Sequence, residues 1–213
     1  GAATEAARIT AELVLAGART LTFARSRRSA ELIAMDTRRL LYEIDPVVAE
    51  RVAAYRGGYL PEDRRELEEG LANGSLMAVA TTNALELGVD IAGLDAVVLS
   101  GFPGTVASFW QQVGRAGRDA RGSLALLVAR DDPLDTYLVH HPRALLERPV
   151  EATITDPGNP YVLGPHLLCA ATELPLTDEE VAHFGGDRII RDLAARGLIR
   201  RREKATAGMA RWF

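Results

Sequence analysis

Leu76-Met77-Ala78-Val79-Ala80-Thr81-Thr82-Asn83-Ala84-Leu85-Glu86-Leu87-Gly88-Val89-Asp90-Ile91 carries the clearest structural signal in the chain. Its first five residues are apolar without alternation, as in a strand buried on both faces. Two hydroxyl residues, a short helical stretch and Gly-Val-Asp follow. The same kind of apolar run recurs downstream at Ala96-Val97-Val98-Leu99 and Ser123-Leu124-Ala125-Leu126-Leu127-Val128, and upstream at Leu21-Thr22-Phe23-Ala24. Helical stretches lie before and between these runs. One spans 5–16 and is closed by Gly17; one runs from a Ser26 or Ser29 cap to about Tyr42. A third covers about 46–52 after the Asp45-Pro46 break, and a fourth opens at Pro61 and closes at Asn73-Gly74. Alternating strands and helices of this kind imply parallel βαβ units with helices on both sheet faces. The expected class is α/β, a doubly wound parallel sheet.

Composition narrows the possibilities. The 213 residues are 47% hydrophobic and 25% charged, with net charge −4, enough apolar content to build a core and to exclude a disordered chain. No apolar run reaches the roughly 18 residues of a membrane span. Residues 1–12 are Ala-rich and mixed in charge, so no secretory leader is expected there. The single cysteine, Cys169, excludes an internal disulfide and zinc sites built on two or four cysteines. A reducing cytoplasm is the expected compartment. Of 25 cationic residues 24 are Arg, and the one Lys, Lys204, has no glycine run before it. The 213 residues therefore contain no G-x-x-x-x-G-K-[ST] phosphate loop.

Composition shifts after about residue 142. Pro142, Pro149, Pro157, Pro160 and Pro165 mark 142–165 as a connector. Thr177-Asp178-Glu179-Glu180 matches a helix capping box. Helices at about 177–184 and 187–196 flank a Gly185-Gly186 turn, and Gly197 precedes an extended Leu198-Ile199. Helix, turn, helix, strand is a helix-turn-helix or winged-helix pattern. Residues 177–213 hold eight Lys and Arg against six Asp and Glu, the basic end of an acidic chain. The boundary is expected near 145, with a linker and small domain over 146–213.

Three polar segments follow strands. In Gln111-Gln112-Val113-Gly114-Arg115-Ala116-Gly117-Arg118, two arginines three apart share a helical face, and a guanidinium fork suits a polyphosphate. Taken alone, the segment reads equally as a solvated helix end. At the end of the apolar run 76–80, Thr81 and Thr82 are placed to donate to a phosphate, and Asp90 to accept from a ribose hydroxyl. The plainer reading is an N-cap at Thr82 and a turn at Gly88. In Phe23-Ala24-Arg25-Ser26-Arg27-Arg28, the arginines are either a solvated first helical turn or an anion site. His140-His141 is no metal pair, since adjacent residues face apart, and no metal site is expected.

In chain order the segments resemble motifs IV, V and VI of superfamily 2 helicases. Residues 111–118 match the Q-x-x-G-R-A-G-R form of motif VI. Ala80, Thr81, Ala84, Gly88 and Asp90 fill the fixed positions of motif V, and 20–26 resembles motif IV. Tyr55-Arg56-Gly57-Gly58-Tyr59, with Pro61 and Arg64, resembles the motif between IV and V, in the form of the mitomycin-repair branch and its fungal RecQ-related members. Asn159-Pro160-Tyr161-Val162-Leu163 and His166–Ala171 resemble that branch's approach to a winged-helix domain. Members carry a four-cysteine metal site further along, for which Cys169 is no substitute.

The resemblance implies the second RecA-like lobe of an ATP-driven DNA motor, residues 1–145, followed by a winged helix. ATP would sit between this lobe and a first lobe that supplies the P-loop and Mg2+ contacts, so this chain would be part of a longer protein and inactive alone. Arg115, Arg118 and Gln111 would act on the γ-phosphate. Gly88, Asp90 and Gly114 would lie against the nucleotide. Arg25, Ser26, Arg56, Thr81 and Thr82 would hold the phosphates of a tracked single strand. Arg200, Arg201 and Arg202 would touch duplex at the junction, with Trp212 or Phe213 either stacking on a base or buried. Unwinding in DNA repair, 3′ to 5′, is the activity implied. The alternative from a different class is a non-catalytic winged-helix module that binds DNA or protein from an α/β scaffold. Another superfamily 2 motor, such as a remodelling or restriction motor, fits the connector less well.

Overall fold

The computed structural model describes residues 1–88, 91, 94–117, 122–202 and 210–213. It divides into two compact units, Gly1–Glu151 and Ala152–Phe213. In the first, helix α1 (Ala2–Leu15) precedes strand β1 (Thr20–Ala24), helices α2 (Arg27–Tyr42) and α3 (Pro46–Ala49), and strand β2 (Val52–Tyr55). Helix α4 (Pro61–Asn73), β3 (Ala78–Thr81), a single 3-10 turn (Asn83–Leu85) and β4 (Ala96–Ser100) follow. Helix α5 (Val106–Val113), β5 (Leu124–Val128), α6 (Pro133–His140) and α7 (Arg143–Leu146) complete the unit.

The sheet has the order β2-β3-β1-β4-β5, and all its pairs are parallel. Central β1 pairs with β3 on one side and β4 on the other, so Phe23 lies between Thr81 and Leu99. Side chains alternate between two cores, as the pleat requires. Leu21, Phe23, Val79, Val97 and Leu99 meet Leu71, Phe109 and Leu138 on one face. Ala24, Ala78, Ala80 and Val98 meet Ala7, Ala11, Ile33 and Leu41 of α1 and α2 on the other. Small alanines on that second face let α1 and α2 lie close to the sheet. Thr22, buried within the sheet, is satisfied by a 2.7 Å hydrogen bond to Thr10, whose hydroxyl also meets the Ala6 carbonyl.

Three sequence expectations change. The helix expected at 46–52 stops at Ala49, and Val52–Tyr55 is an edge strand; its two central alanines carry too little apolar signal to mark it. Strand β5 is not covered on both faces among the described residues: it is the opposite edge, and Leu124 is 43% exposed. The proline-rich stretch 142–165 is not all connector. Helix α8 (Pro160–Glu173) begins inside it and carries Pro165 in its interior. Pro160 takes the favoured first helical position, and Leu163, Leu167 and Ala171 recur at helical spacing on one buried face, which offsets the hydrogen bond lost at Pro165.

The second unit runs α8, β6 (Leu176–Thr177), α9 (Asp178–His183), α10 (Asp187–Ala195), β7 (Arg201–Arg202) and β8 (Arg211–Trp212). The strands pair antiparallel in the order β6-β8-β7, which with the three helices is a winged helix. The capping box forms as expected: Thr177 accepts from the Glu180 amide, and the Glu180 carboxylate accepts from that of Thr177. Leu163, Leu167, Val181, Ile190, Leu193, Ile199 and Trp212 form the core. Leu198 is 52% exposed while Ile199 is buried, as Gly197 turns the chain at φ 73° just before them.

Asp135 fixes the loops around the functional edge of the first unit. It is 1% exposed, and its carboxylate accepts from the Phe102 amide at 3.2 Å and the Arg130 amide at 2.8 Å. It thereby joins the turns after β4 and β5. Gly101, just before, sits at φ 91°, and a Cβ there would lie 2.5 Å from the Arg130 side chain. Asp135→Ala strands two amide donors, each costing about 1–3 kcal/mol when left unpaired. Urea unfolding should therefore show a loss of about 2–4 kcal/mol for this variant. A loss below about 1 kcal/mol contradicts the bracing role.

Candidate functional site

Parallel pairing brings the carboxyl ends of β1, β3 and β4 to one edge of the sheet, where open α/β sheets take ligands. A pocket of about 250 Å3 opens there. Arg25 follows β1, Thr82 and Asn83 follow β3, Ser100 and Gly101 end β4, and Ser108 and Gln112 approach from α5. The chain reaches these places by ordinary local chemistry. Ser26 caps α2 by accepting from the Ser29 amide, and Thr105 caps α5 by accepting from that of Ser108.

Below the pocket lies a buried polar network. Glu86, 9% exposed, accepts through one carboxylate oxygen from Ser108 Oγ at 2.6 Å and Gln112 Nε2 at 2.9 Å. The Gln112 amide also reaches Ser108 at 3.3 Å. Arg115, 8% exposed, donates from Nε to the Glu86 main-chain oxygen at 3.1 Å, and its Nη2 donates to the same oxygen. Residues 108, 112 and 115 are spaced four and three apart, so they share a face of α5 and its extension. The segment after β3 is thus tied to the helix that leads into Gly114-Arg115-Ala116-Gly117.

Arg25, Thr82 and the Ser26 cap lie at the strand ends. Thr81 is fully buried, and its hydroxyl has no hydrogen-bond partner among the described residues. Arg56 pairs with Glu31 at 2.7 Å and lies 4.8 Å over the Tyr59 ring. Gln111 is exposed, whereas its neighbour Gln112 is 4% exposed and bonded to Glu86. Gly88 has φ 80°, a conformation that favours glycine, while Gly114 is helical. Asp90 and Arg118 lie outside the described residues. Sequence reasoning missed Glu86, Ser108 and Gln112. For Ser108 and Gln112 the signal was polar residues at helical spacing among the apolar Val106, Phe109 and Val113; Glu86, outside that helix, carried none.

In the second unit, Arg200 and Arg202 are exposed, and Arg202 lies 5.6 Å over the Phe213 ring. Arg201 binds both carboxylate oxygens of Asp178, at 2.6 and 3.4 Å. Trp212 is 7% exposed and donates its indole N–H to Asp178 at 2.7 Å, so it is a core residue of the wing. The Arg201 and Trp212 hydrogen bonds hold the Asp178 carboxyl below its ordinary range.

A family model described as the helicase conserved C-terminal domain matches residues 5–120. The chain belongs to this family. Residues 155–212 match the winged-helix domain of the ATP-dependent helicase HRQ1. The chain is 43% identical over 183 residues to the uncharacterized ATP-dependent helicase YprA of Bacillus subtilis, covering 85% of this chain and 24% of that protein. It is 42% identical over 200 residues to the ATP-dependent helicase HRQ1 of Saccharomyces cerevisiae, covering 91% and 18%. A crystal structure of the DUF1998 helicase MrfA bound to DNA and AMPPNP superposes with TM-score 0.86 at 39% identity, covering all of this chain and 29% of that one. The chain thus spans about a quarter or less of the curated relatives' length. No helix among its described residues is long and apolar enough to cross a membrane.

The helicase lobe's α5 is held at its N-terminus by the far end of the same unit. Glu151 accepts from the Val106 amide at 2.7 Å and the Ala107 amide at 3.1 Å. These donors, Val106 first, hold the exposed Glu151 carboxyl below its ordinary value, which favours the charged form at a helix N-terminus. A lowered folded pKa gives a contribution that is complete above the unfolded value, about 4.3, and lost as pH falls through the folded one. Wild type should melt above Glu151→Gln at neutral pH, and the two should converge in thermal scans as pH falls below the ordinary carboxylate range and Glu151 takes up its proton. Equal melting temperatures at neutral pH contradict the cap.

Proposed function

We propose that the chain is the second motor lobe and winged helix of an ATP-dependent DNA helicase that serves in DNA repair. One observation carries this reading: three segments matching helicase motifs converge, within one unit of the helicase C-terminal family, on the carboxyl edge of a parallel sheet. ATP would bind between this edge and a first RecA-like lobe. Mg2+ and P-loop contacts would come from that other lobe.

Arg118 would supply positive charge to the transferring γ-phosphoryl, a role worth about 10³–10⁵ in rate in well-studied NTPases. Arg115 would turn to the phosphate only by giving up the Glu86 carbonyl, so it is the switchable member of the pair. Gln111, exposed on the same turn, would bond near the γ-phosphate or the attacking water. Gly88, Asp90 and Gly114 would lie against the nucleotide. Arg25, Ser26, Thr82 and Arg56 would hold the phosphates of the tracked strand, with Thr81 donating its unpartnered hydroxyl after a small opening of its cover. Such contacts carry no sequence code, which suits a motor that steps along any sequence. On the wing, Arg200 and Arg202 would meet duplex phosphates at the junction. Arg201 would do so only by leaving Asp178.

Arg118→Ala in the full-length protein tests the assignment. DNA-stimulated ATP hydrolysis should fall by about 10³ or more, while nucleotide affinity stays near that of wild type. Turnover within about tenfold of wild type removes Arg118 from the transition state.

A further inference from the structure

The Glu86 network deepens that reading and rests on it. The reading assigns Arg115 to the nucleotide and Thr81 and Thr82 to the strand. Glu86 lies between them, and it binds α5 in two independent ways. Its main-chain oxygen is held by Arg115, the group that a phosphate would recruit. Its carboxylate is held by Ser108 and Gln112, which the phosphate would leave in place. The donors and acceptors of this cluster match: the Gln112 amide nitrogen donates to Glu86 and, at the longer 3.3 Å, to Ser108, while the Ser108 hydroxyl donates to Glu86. A buried polar cluster satisfied in this way is stiff, and bonds to a carboxylate are stronger than neutral ones.

We propose that Glu86 is the positioning residue that makes the segment from Thr81 to Gly88 move with α5, so that a shift of Arg115 at the nucleotide reaches the strand-gripping threonines. Without the carboxylate, departure of Arg115 leaves this segment held to α5 by the apolar packing around Leu85, a weaker coupling, and more hydrolysis runs without moving the grip. With it, the segment and helix shift as one body. Glu86 touches neither nucleotide nor DNA in this scheme. It acts through Ser108, Gln112 and Arg115.

The test compares full-length wild type, Glu86→Ala and Glu86→Gln, reading strand unwound per ATP hydrolysed under DNA stimulation. Glu86→Ala should lower that ratio on the order of tenfold, the size of coupling carried by such networks. Glu86→Gln keeps an oxygen in the place of the carboxylate and should recover most of the ratio. If Glu86→Ala fails to fold, Gln112→Met removes the amide donor at similar volume and should also lower the ratio. Hydrolysis and unwinding that fall together in proportion, leaving the ratio unchanged, reduce Glu86 to a structural part and overturn the inference. A wild-type protein without DNA-stimulated hydrolysis overturns the underlying reading instead.

Discussion

Parallel pairing of β1 on both sides constrains everything else in the first unit. Because β3 and β4 run in the same direction as β1, all three strands end at one edge, and each connection must cross back over a sheet face. The crossovers supply the two cores, and the strand ends supply the pocket. Arg25, Thr82 and Ser100 are brought together by this geometry although they lie far apart in sequence. Among the described residues, nothing in the site needs an unusual backbone beyond a few glycines. Gly101 is one of them, held between Arg130 and Asp135 where a side chain has no room.

The second constraint is electrostatic. Polar groups buried beneath the pocket are expensive unless paired, and apart from the Thr81 hydroxyl the named ones are paired with one another. Glu86, Ser108, Gln112 and Arg115 form one cluster, and Asp135 satisfies the turns beside it. The outcome is a rigid floor under exposed cations. The chain's net charge of −4 is compatible with this, since a motor lobe grips a strand jointly with another lobe and need not be basic overall. Positive charge instead lies at local points: Arg25 at a strand end, and Arg200 and Arg202 on the wing.

Much of this architecture was legible in the sequence, for physical reasons that differ by element. Strands β1, β3 and β4 were plain because burial on both faces removes polar alternation. The capping box at Thr177 and Glu180 was plain because its chemistry is local. Strand β2 was hidden because Ala53 and Ala54 pack little apolar surface at a sheet edge. Helix α8 was hidden because its prolines signal a loop, while the burial of Leu163, Leu167 and Ala171 is a tertiary effect. At the site, motif spacing singled out Gln111, yet the helical phase turns Gln112 inward. Glu86 was hidden for a related reason: a carboxylate between two leucines reads as solvent-facing until its partners on α5 are known.

The central claim is that this chain carries half of an ATP site and half of a DNA grip. The most direct measurement is DNA-stimulated ATP hydrolysis by the 213-residue chain alone and in the presence of a P-loop lobe, supplied separately or in the full-length protein. The chain alone should not hydrolyse ATP, and DNA-stimulated hydrolysis should appear when both lobes are present. Hydrolysis by the chain alone would contradict the claim. So would tight DNA binding by the chain with no hydrolysis when both lobes are present, which would make it a binding module on a helicase scaffold.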